Sequence, residues 1–450
     1  MIQATTPLAR AAVAIAIAIS LPMWPNPLPF ARVGALLPNH RLQGQAAATA
    51  PPATRDELPI AKPEAVGMST ERLRRVHDAV QQHINAGSIS GAVTLVARDG
   101  RVVHFEAHGL RDIESRAPMT KDTIFRIASM TKLVTGVAVL MMVEEGRIQL
   151  GDPLSRFIPE FKNMRIATPQ PANQAQVDSV SASREITIQD LLTHTAGLLT
   201  VSGLGAQPSA QLPARAPTDT LRSYIPRLAG VTLDFQPGTR WSYSALAGGD
   251  VLGRVVEIAS GQTYDQFLQM RVFDRLGMKD TFFYVPEDRR SRLVSLYDST
   301  PSGLRPRAER MSTSSGTFFG GGAGLQSTAE DYLRFAQMLA NAGILDRQRL
   351  LSAKTVRLMA SNQVGEMYSK NTERPAPGMG YGFLVGTVED PIAAGLRVSA
   401  RSFGWAGTFG TLVWIDPKEK LVMILMIQSA PANNSLRRDF ENAVMQSIVR

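Results

Sequence analysis

The sequence predicts an α+β protein of two lobes: an antiparallel sheet built from both ends of the chain and flanked by helices, and a mainly helical lobe between them. Three observations lead there. First, Gly91-Ala92-Val93-Thr94-Leu95-Val96-Ala97 is a buried-strand run, Arg98-Asp99-Gly100-Arg101 a hairpin turn, and Val102-Val103-His104-Phe105 the return strand. Second, the far end repeats the pattern, with a strand from Phe409 to Ile415, a turn at Asp416-Pro417-Lys418-Glu419 and a strand from Leu421 to Ile427. Third, each hairpin has an amphipathic helix beside it in sequence. Leu73, Val76, Val80 and Ile84 form one stripe, and Leu436, Phe440, Val444 and Ile448 the other. The α+β lobe is accordingly assigned to about 63–125 and 380–450, and the helical lobe to about 126–379.

The N-terminal segment reads as an export leader. Arg10 precedes the apolar run Ala11–Ile19, and Ala46-Ala47-Ala48 and Ala48-Thr49-Ala50 are small-residue cleavage candidates. Residues 1–50 are therefore expected to be a signal peptide of a periplasmic or secreted protein, with an uncleaved anchor as the alternative and the one route to membrane contact. Pro- and Ala-rich residues 51–62 read as a linker, and 63–450 as the functional domain. No later stretch reads as transmembrane. The chain has 450 residues, 44% of them hydrophobic, enough for a large core. It has no cysteine, which excludes disulfides, a thiolate nucleophile and a cysteine metal site. The net charge of +9 falls to +6 without the leader's Arg10, Arg32 and Arg41, and no basic block remains, so nucleic-acid binding is not expected.

Within the middle region, an apolar helix over Leu133–Val143 is closed by Gly146. Further helices are expected from Thr187 to His194, Ala245 to Ile258, Tyr264 to Leu276 and Asp331 to Ala340. The last is opened by a capping box at Ser327-Thr328-Ala329-Glu330. Long connections at 162–186, 199–217, 286–326 and 362–402 are of the length that lines binding sites or lacks order. No internal repeat is present.

Three stretches carry chemistry. In Ile127-Ala128-Ser129-Met130-Thr131-Lys132, a helix beginning near Ser129 places Lys132 over the serine hydroxyl. A serine is a weak nucleophile without an adjacent base, and a lysine serves as that base when burial or a nearby cation favours its neutral form. The helix N-terminus also aims N–H groups at any oxyanion formed there. Alone, the pair reads more readily as an N-cap serine and an exposed first-turn lysine. In Pro237-Gly238-Thr239-Arg240-Trp241-Ser242-Tyr243-Ser244, a tyrosine just before a helix can present its phenol to a cleft for proton transfer, or pack under its loop. In Phe403-Gly404-Trp405-Ala406-Gly407-Thr408-Phe409, a Gly-flanked edge strand lets backbone approach a ligand, with a bulge as the alternative.

Other chemistries are poorly supplied. Of six histidines, His40 falls in the leader, His77 and His83 on the first helix, and His104 and His108 on or just after an early strand. That leaves His194, at a helix end, where packing is the expected role. The Gly-x-Ser-x-Gly elbow is absent, no His/Asp/Glu cluster has metal-ligand spacing, and Gly320-Gly321-Gly322-Ala323-Gly324 lacks the Gly-Lys-Ser/Thr of a phosphate loop. No metal and no cofactor are expected.

Together the three stretches resemble the serine β-lactamase and penicillin-binding-protein superfamily, and within it the class C-type esterases. The resemblance spans nearly everything after residue 60, including Ser129-x-x-Lys132, Tyr243-Ser244-Ala245, Trp405-Ala406-Gly407 and the supporting run Leu191-Leu192-Thr193-His194-Thr195-Ala196-Gly197-Leu198. It implies a β-lactamase/transpeptidase-like fold with the site at the seam of the lobes. It also implies Ser129 as the acyl-accepting nucleophile, Lys132 and Tyr243 as general base and acid, and the Ser129 and Thr408 N–H groups as the oxyanion hole. Class C β-lactamases carry Asn two residues after the tyrosine and Lys at the start of the late triad. Here Ala245 and Trp405 stand there, removing the amide and ammonium that would hold a β-lactam. With Trp405, Ala406, Gly407 and Ala245 as substrate-binding positions, the expectation is a serine esterase acting on small-molecule ester or acyl substrates. A D-amino-acid peptidase or amidase (with Arg401 as the one nearby carboxylate anchor), a weak β-lactamase, an acyltransferase and a non-catalytic cell-wall peptide-binding protein are the alternatives.

Overall fold

The computed structural model describes residues 58–167, 179–201, 213–307, 315–371 and 375–450. The expected leader and most of the expected linker lie outside them. The linker's last residues dock on the fold, because Val102 N–H donates to Pro59 O at 2.8 Å and Ala61 N–H to Val102 O at 2.9 Å.

The first helix, α1 (Arg75–Asn85), follows a short turn, Thr70–Leu73, whose N-cap Ser69 accepts from the Arg72 N–H. Strands β1 (Gly91–Arg98) and β2 (Arg101–Asp112) form the expected hairpin. Asp99 and Gly100 both take positive φ, +50° and +70°, as a two-residue turn matched to strand twist requires. Strand β3 (Ala117–Pro118) adds one edge. The helical lobe follows, with α2 (Thr131–Glu144), α3 (Ile188–Leu192), α4 (Ala247–Ser260) and α5 (Ala329–Ala340). The chain then returns through β4 (Met379–Tyr381), β5 (Gly386–Val388), β6 (Phe403–Ala406), β7 (Leu412–Asp416) and β8 (Leu421–Met426), and ends with α6 (Asn434–Met445).

All eight strands make one antiparallel sheet in the order β4-β5-β6-β7-β8-β1-β2-β3. The two chain ends meet where β8 pairs with β1, Val93 opposite Met426 and Arg98 opposite Leu421. Side chains alternate across the sheet. Val93, Leu95 and Ala97 join the core with Leu133 and Val137 of α2, whereas Ala92 and Val96 face Val76 and Val80 of α1 and Phe440 and Val444 of α6. Helix α2 is buried all round from Thr131 to Met142, the pattern of a core helix. The α+β expectation holds.

Five expectations change. The 362–402 connection contains β4 and β5, each only three residues long, too short to announce themselves as strands. Strand β6 is interior rather than at the edge, and β7 begins at Leu412 because Gly407–Gly410 is spent on a turn. Helix α5 begins at Ala329, and its cap is Thr328 accepting from the Asp331 N–H, one residue later than the expected box. Helix α4 begins at Ala247, two residues beyond Ala245.

Candidate active site

The segment before α2 is held from several sides. Phe125–Arg126 pairs with Gln326–Ser327, Ile127 N–H donates to Leu325 O at 3.2 Å, and Tyr332 Oη donates to Met130 O at 2.8 Å. Between these anchors Ala128 takes φ +46°, a left-handed conformation that costs an L-residue about 1–2 kcal/mol. A 3₁₀ turn, Ala128–Met130, then feeds α2. No side chain caps either helix start, so Ser129 is not an N-cap. Among the described residues its hydroxyl has no hydrogen-bond partner.

Lys132, one turn behind, is fully buried. Its Nζ donates to Ala245 O at 2.5 Å and Gly322 O at 2.7 Å and lies 4.9 Å from the centre of the Tyr243 ring. Its hydrogen bonds therefore run to carbonyls and not to the Ser129 hydroxyl. Gly249 of α4 makes this possible, since a Cβ there would stand 2.6 Å from Gly322 Cα. The glycine run 320–324, no phosphate loop, thus works by close backbone approach. Beside it, Asp250 Oδ1 accepts from Gly322 N–H at 2.9 Å, and burial pushes the Asp250 carboxyl up to about 6.

Tyr243 is half-buried on the stretch leading to α4. His194 packs edge-on against it, ring centres 4.7 Å apart, and its Nδ1 accepts from Ser244 N–H at 3.3 Å. Burial, then the charge of Lys132, hold His194 well below its ordinary pKa, so it is a neutral packing residue, as its place at a helix end predicted. On the other side, Trp405 Nε1 donates to Tyr243 Oη at 3.3 Å, with ring centres 5.6 Å apart.

The Trp405-Ala406-Gly407-Thr408 stretch runs off the end of β6 towards Ser129. A Cβ on Gly407 would fall 2.5 Å from Ile127 O, so only glycine lets this turn press against the segment bearing Ser129. Arg437 of α6 clamps the turn, its Nη2 donating to Gly407 O at 2.5 Å and Thr411 O at 3.2 Å, its Nε to Gly410 O at 3.2 Å. Among the described residues, neither the Ser129 nor the Thr408 N–H has a partner. Arg437 carries no local motif, and sequence reasoning missed it.

Ser129, Tyr243, Ala245, Trp405, Ala406, Gly407 and Thr408 all line one pocket of about 1030 Å³, with Lys132 behind its wall. Trp241, Trp414, Tyr368, Met379 and Leu412 make the rest largely apolar. Arg401 is exposed and outside the pocket. The arginines on the wall are Arg307, paired with Asp298 at 2.7 Å, and Arg437, engaged with the turn.

Comparison with known proteins agrees with this architecture. Residues 76–445 match the Beta-lactamase family. Esterase EstB of Burkholderia gladioli is 32% identical over 396 residues, covering 82% of this chain and 93% of EstB. Lovastatin esterase of Penicillium rubens is 32% identical over 399 residues, covering 82% and 96%. The solved structure of EstCE1, a hydrolase with promiscuous acyltransferase activity, superposes with a TM-score of 0.72 at 28% identity, over 83% of this chain and 99% of that one. The chain belongs to the beta-lactamase family and is one of its serine hydrolases, built on the β-lactamase/transpeptidase-like fold.

Proposed function

We propose that the protein is a serine esterase that works through an acyl-enzyme on Ser129. One observation carries this reading: a serine hydroxyl and two backbone N–H groups without partners among the described residues meet a buried lysine and a tyrosine with an indole donor around one apolar pocket. Ser129 Oγ attacks the ester carbonyl carbon as its proton passes to the Tyr243 oxygen, whose own proton moves on to the Lys132 amine beside the ring. The negative oxygen is held by the Ser129 and Thr408 N–H groups, each such donor being worth ~10²–10³ in rate. The C–O bond breaks and the alcohol leaves with the proton. Water then attacks the acyl-enzyme, gives up a proton to the same pair, and frees the acid and the serine.

The walls favour neutral esters. Trp405 and Ala245 occupy the positions where an ammonium and an amide would grip a β-lactam, and the wall arginines are already engaged. A pocket of about 1030 Å³ also lies at the upper end for small-molecule sites, so bulky acyl or alcohol groups fit. Acyl transfer to an alcohol in place of water is the second reading, favoured by the pocket's apolar walls and by the acyltransferase activity named for EstCE1. We further propose export, from the leader-like residues 1–50.

Turnover of p-nitrophenyl butyrate and of a chromogenic cephalosporin, side by side, tests this, with Ser129→Ala as the control. Butyrate turnover that vanishes in the variant, with little cephalosporin cleavage, is expected. Rapid cephalosporin turnover would sink the substrate assignment, and undiminished activity in Ser129→Ala the nucleophile.

A further inference from the structure

On the face of the sheet that α1 covers, the fold gathers residues that sequence spacing keeps apart. Thr94 of β1 stands opposite Glu106 of β2, with His104 and His108 on the same strand face, and His77 reaches down from α1. One ligand atom from each of His77, Glu106 and His108 lies within 4.8 Å of the others. Glu106 Oε2 is 3.3 Å from His77 Nδ1 and 3.7 Å from His108 Nε2. We propose that His77, Glu106 and His108 bind a divalent transition-metal ion of the Zn²⁺ class, which clamps α1 to the sheet.

Zinc bonds of about 2.0–2.1 Å in a tetrahedron set ligand atoms about 3.3 Å apart, so the two spacings around Glu106 need little adjustment. The donor set, two imidazoles and a carboxylate, suits zinc and its neighbours rather than Mg²⁺ or Ca²⁺. Thr94 Oγ1 lies 2.7 Å from His104 Nε2 and 3.0 Å from His108 Nε2, so turning its proton to His104 frees the His108 lone pair. The His108 side chain is 1% exposed and fixed, whereas that of His77 is 53% exposed, leaving the fourth position open to solvent. The cluster shares its face with Ala92 and Val96, opposite the face that packs on α2, so metal here has no contact with the Ser129 pocket.

The experiment is calorimetric titration of chelator-stripped protein with Zn²⁺, paired with thermal unfolding. Wild-type protein is expected to take one equivalent and to unfold at a higher temperature with the metal. His77→Ala, at an exposed position with little risk to folding, should weaken binding at least tenfold and abolish the thermal shift, with unchanged butyrate hydrolysis reporting an intact fold. His83→Ala, on the same helix but outside the cluster, should bind as wild type does. Equal binding by wild-type and His77→Ala proteins, or equal loss in His83→Ala, would overturn the site. Binding without a thermal shift would overturn the clamp.

Discussion

Trp405→Phe separates two roles that one side chain plays in the proposed mechanism. The substitution keeps an aromatic wall in the pocket but deletes the N–H that reaches Tyr243 Oη at 3.3 Å. A hydrogen bond to a group that gains charge is worth about 1.5–3 kcal/mol. At 3.3 Å this one lies just beyond the usual N–H···O range, so the lower figure applies, about 1.5 kcal/mol. If the phenol carries negative charge mainly in the transition state, the loss falls on kcat, by about tenfold. KM should stay within about twofold, because the ring that touches substrate remains. Steady-state kinetics on p-nitrophenyl butyrate from pH 5 to 9 read both constants. An unchanged kcat with a raised KM would refute the reasoning and leave Trp405 as a wall alone.

Three further outcomes are expected. Gly386→Ala places a Cβ 3.2 Å from Trp405 Cζ3, so the indole must give way and kcat should fall in the same direction as in Trp405→Phe, checked by the same kinetics. Arg437→Met unclamps the turn that carries the Thr408 N–H and should lower kcat by roughly 10–10²-fold with little change in KM, whereas a KM effect alone would detach Arg437 from the oxyanion site. Asp250 has a folded pKa of about 6 against 3.8 as its ordinary value, so its contribution to stability is complete below pH 3.8 and is lost as pH rises through 6, a loss of about 3 kcal/mol. Asp250→Asn should therefore be more stable than wild type in urea at pH 8 and nearly equal at pH 4, and a pH-independent difference would count against it.

What could be read from the sequence was whatever local pattern specifies. Helix α2 is apolar on every side and begins beside a serine and a lysine three apart, so both element and motif were visible together. Tyr243 and Trp405 each announced themselves by position before a helix or beside glycines. What stayed hidden depends on backbone or on distance along the chain. The acceptors of Lys132 are two carbonyls, Ala245 O and Gly322 O, which no side-chain code reports. Arg437 meets the Gly407 turn only because α6 packs behind β7 and β8. The cap of α5 was placed one residue early because Ser327-x-x-Glu330 and Thr328-x-x-Asp331 are both plausible caps, and tertiary packing chooses between them. His77 and His108 belong to different elements, so their meeting appears only once α1 lies on the sheet.

The seam between β1 and β8 also sets when the protein can work. At translation speeds of about 5–20 residues per second, β1 waits roughly tens of seconds for the strand that pairs Met426 with Val93. Throughout that interval an apolar strand shows an open edge, the kind of surface that invites pairing with other chains. The Thr408 N–H, on a turn clamped from α6, is also among the last groups to be made and fixed. In the proposed mechanism the nascent chain therefore carries Ser129 and Lys132 for most of its synthesis as an inert pair, and hydrolysis begins only when the C-terminal strands have closed the sheet.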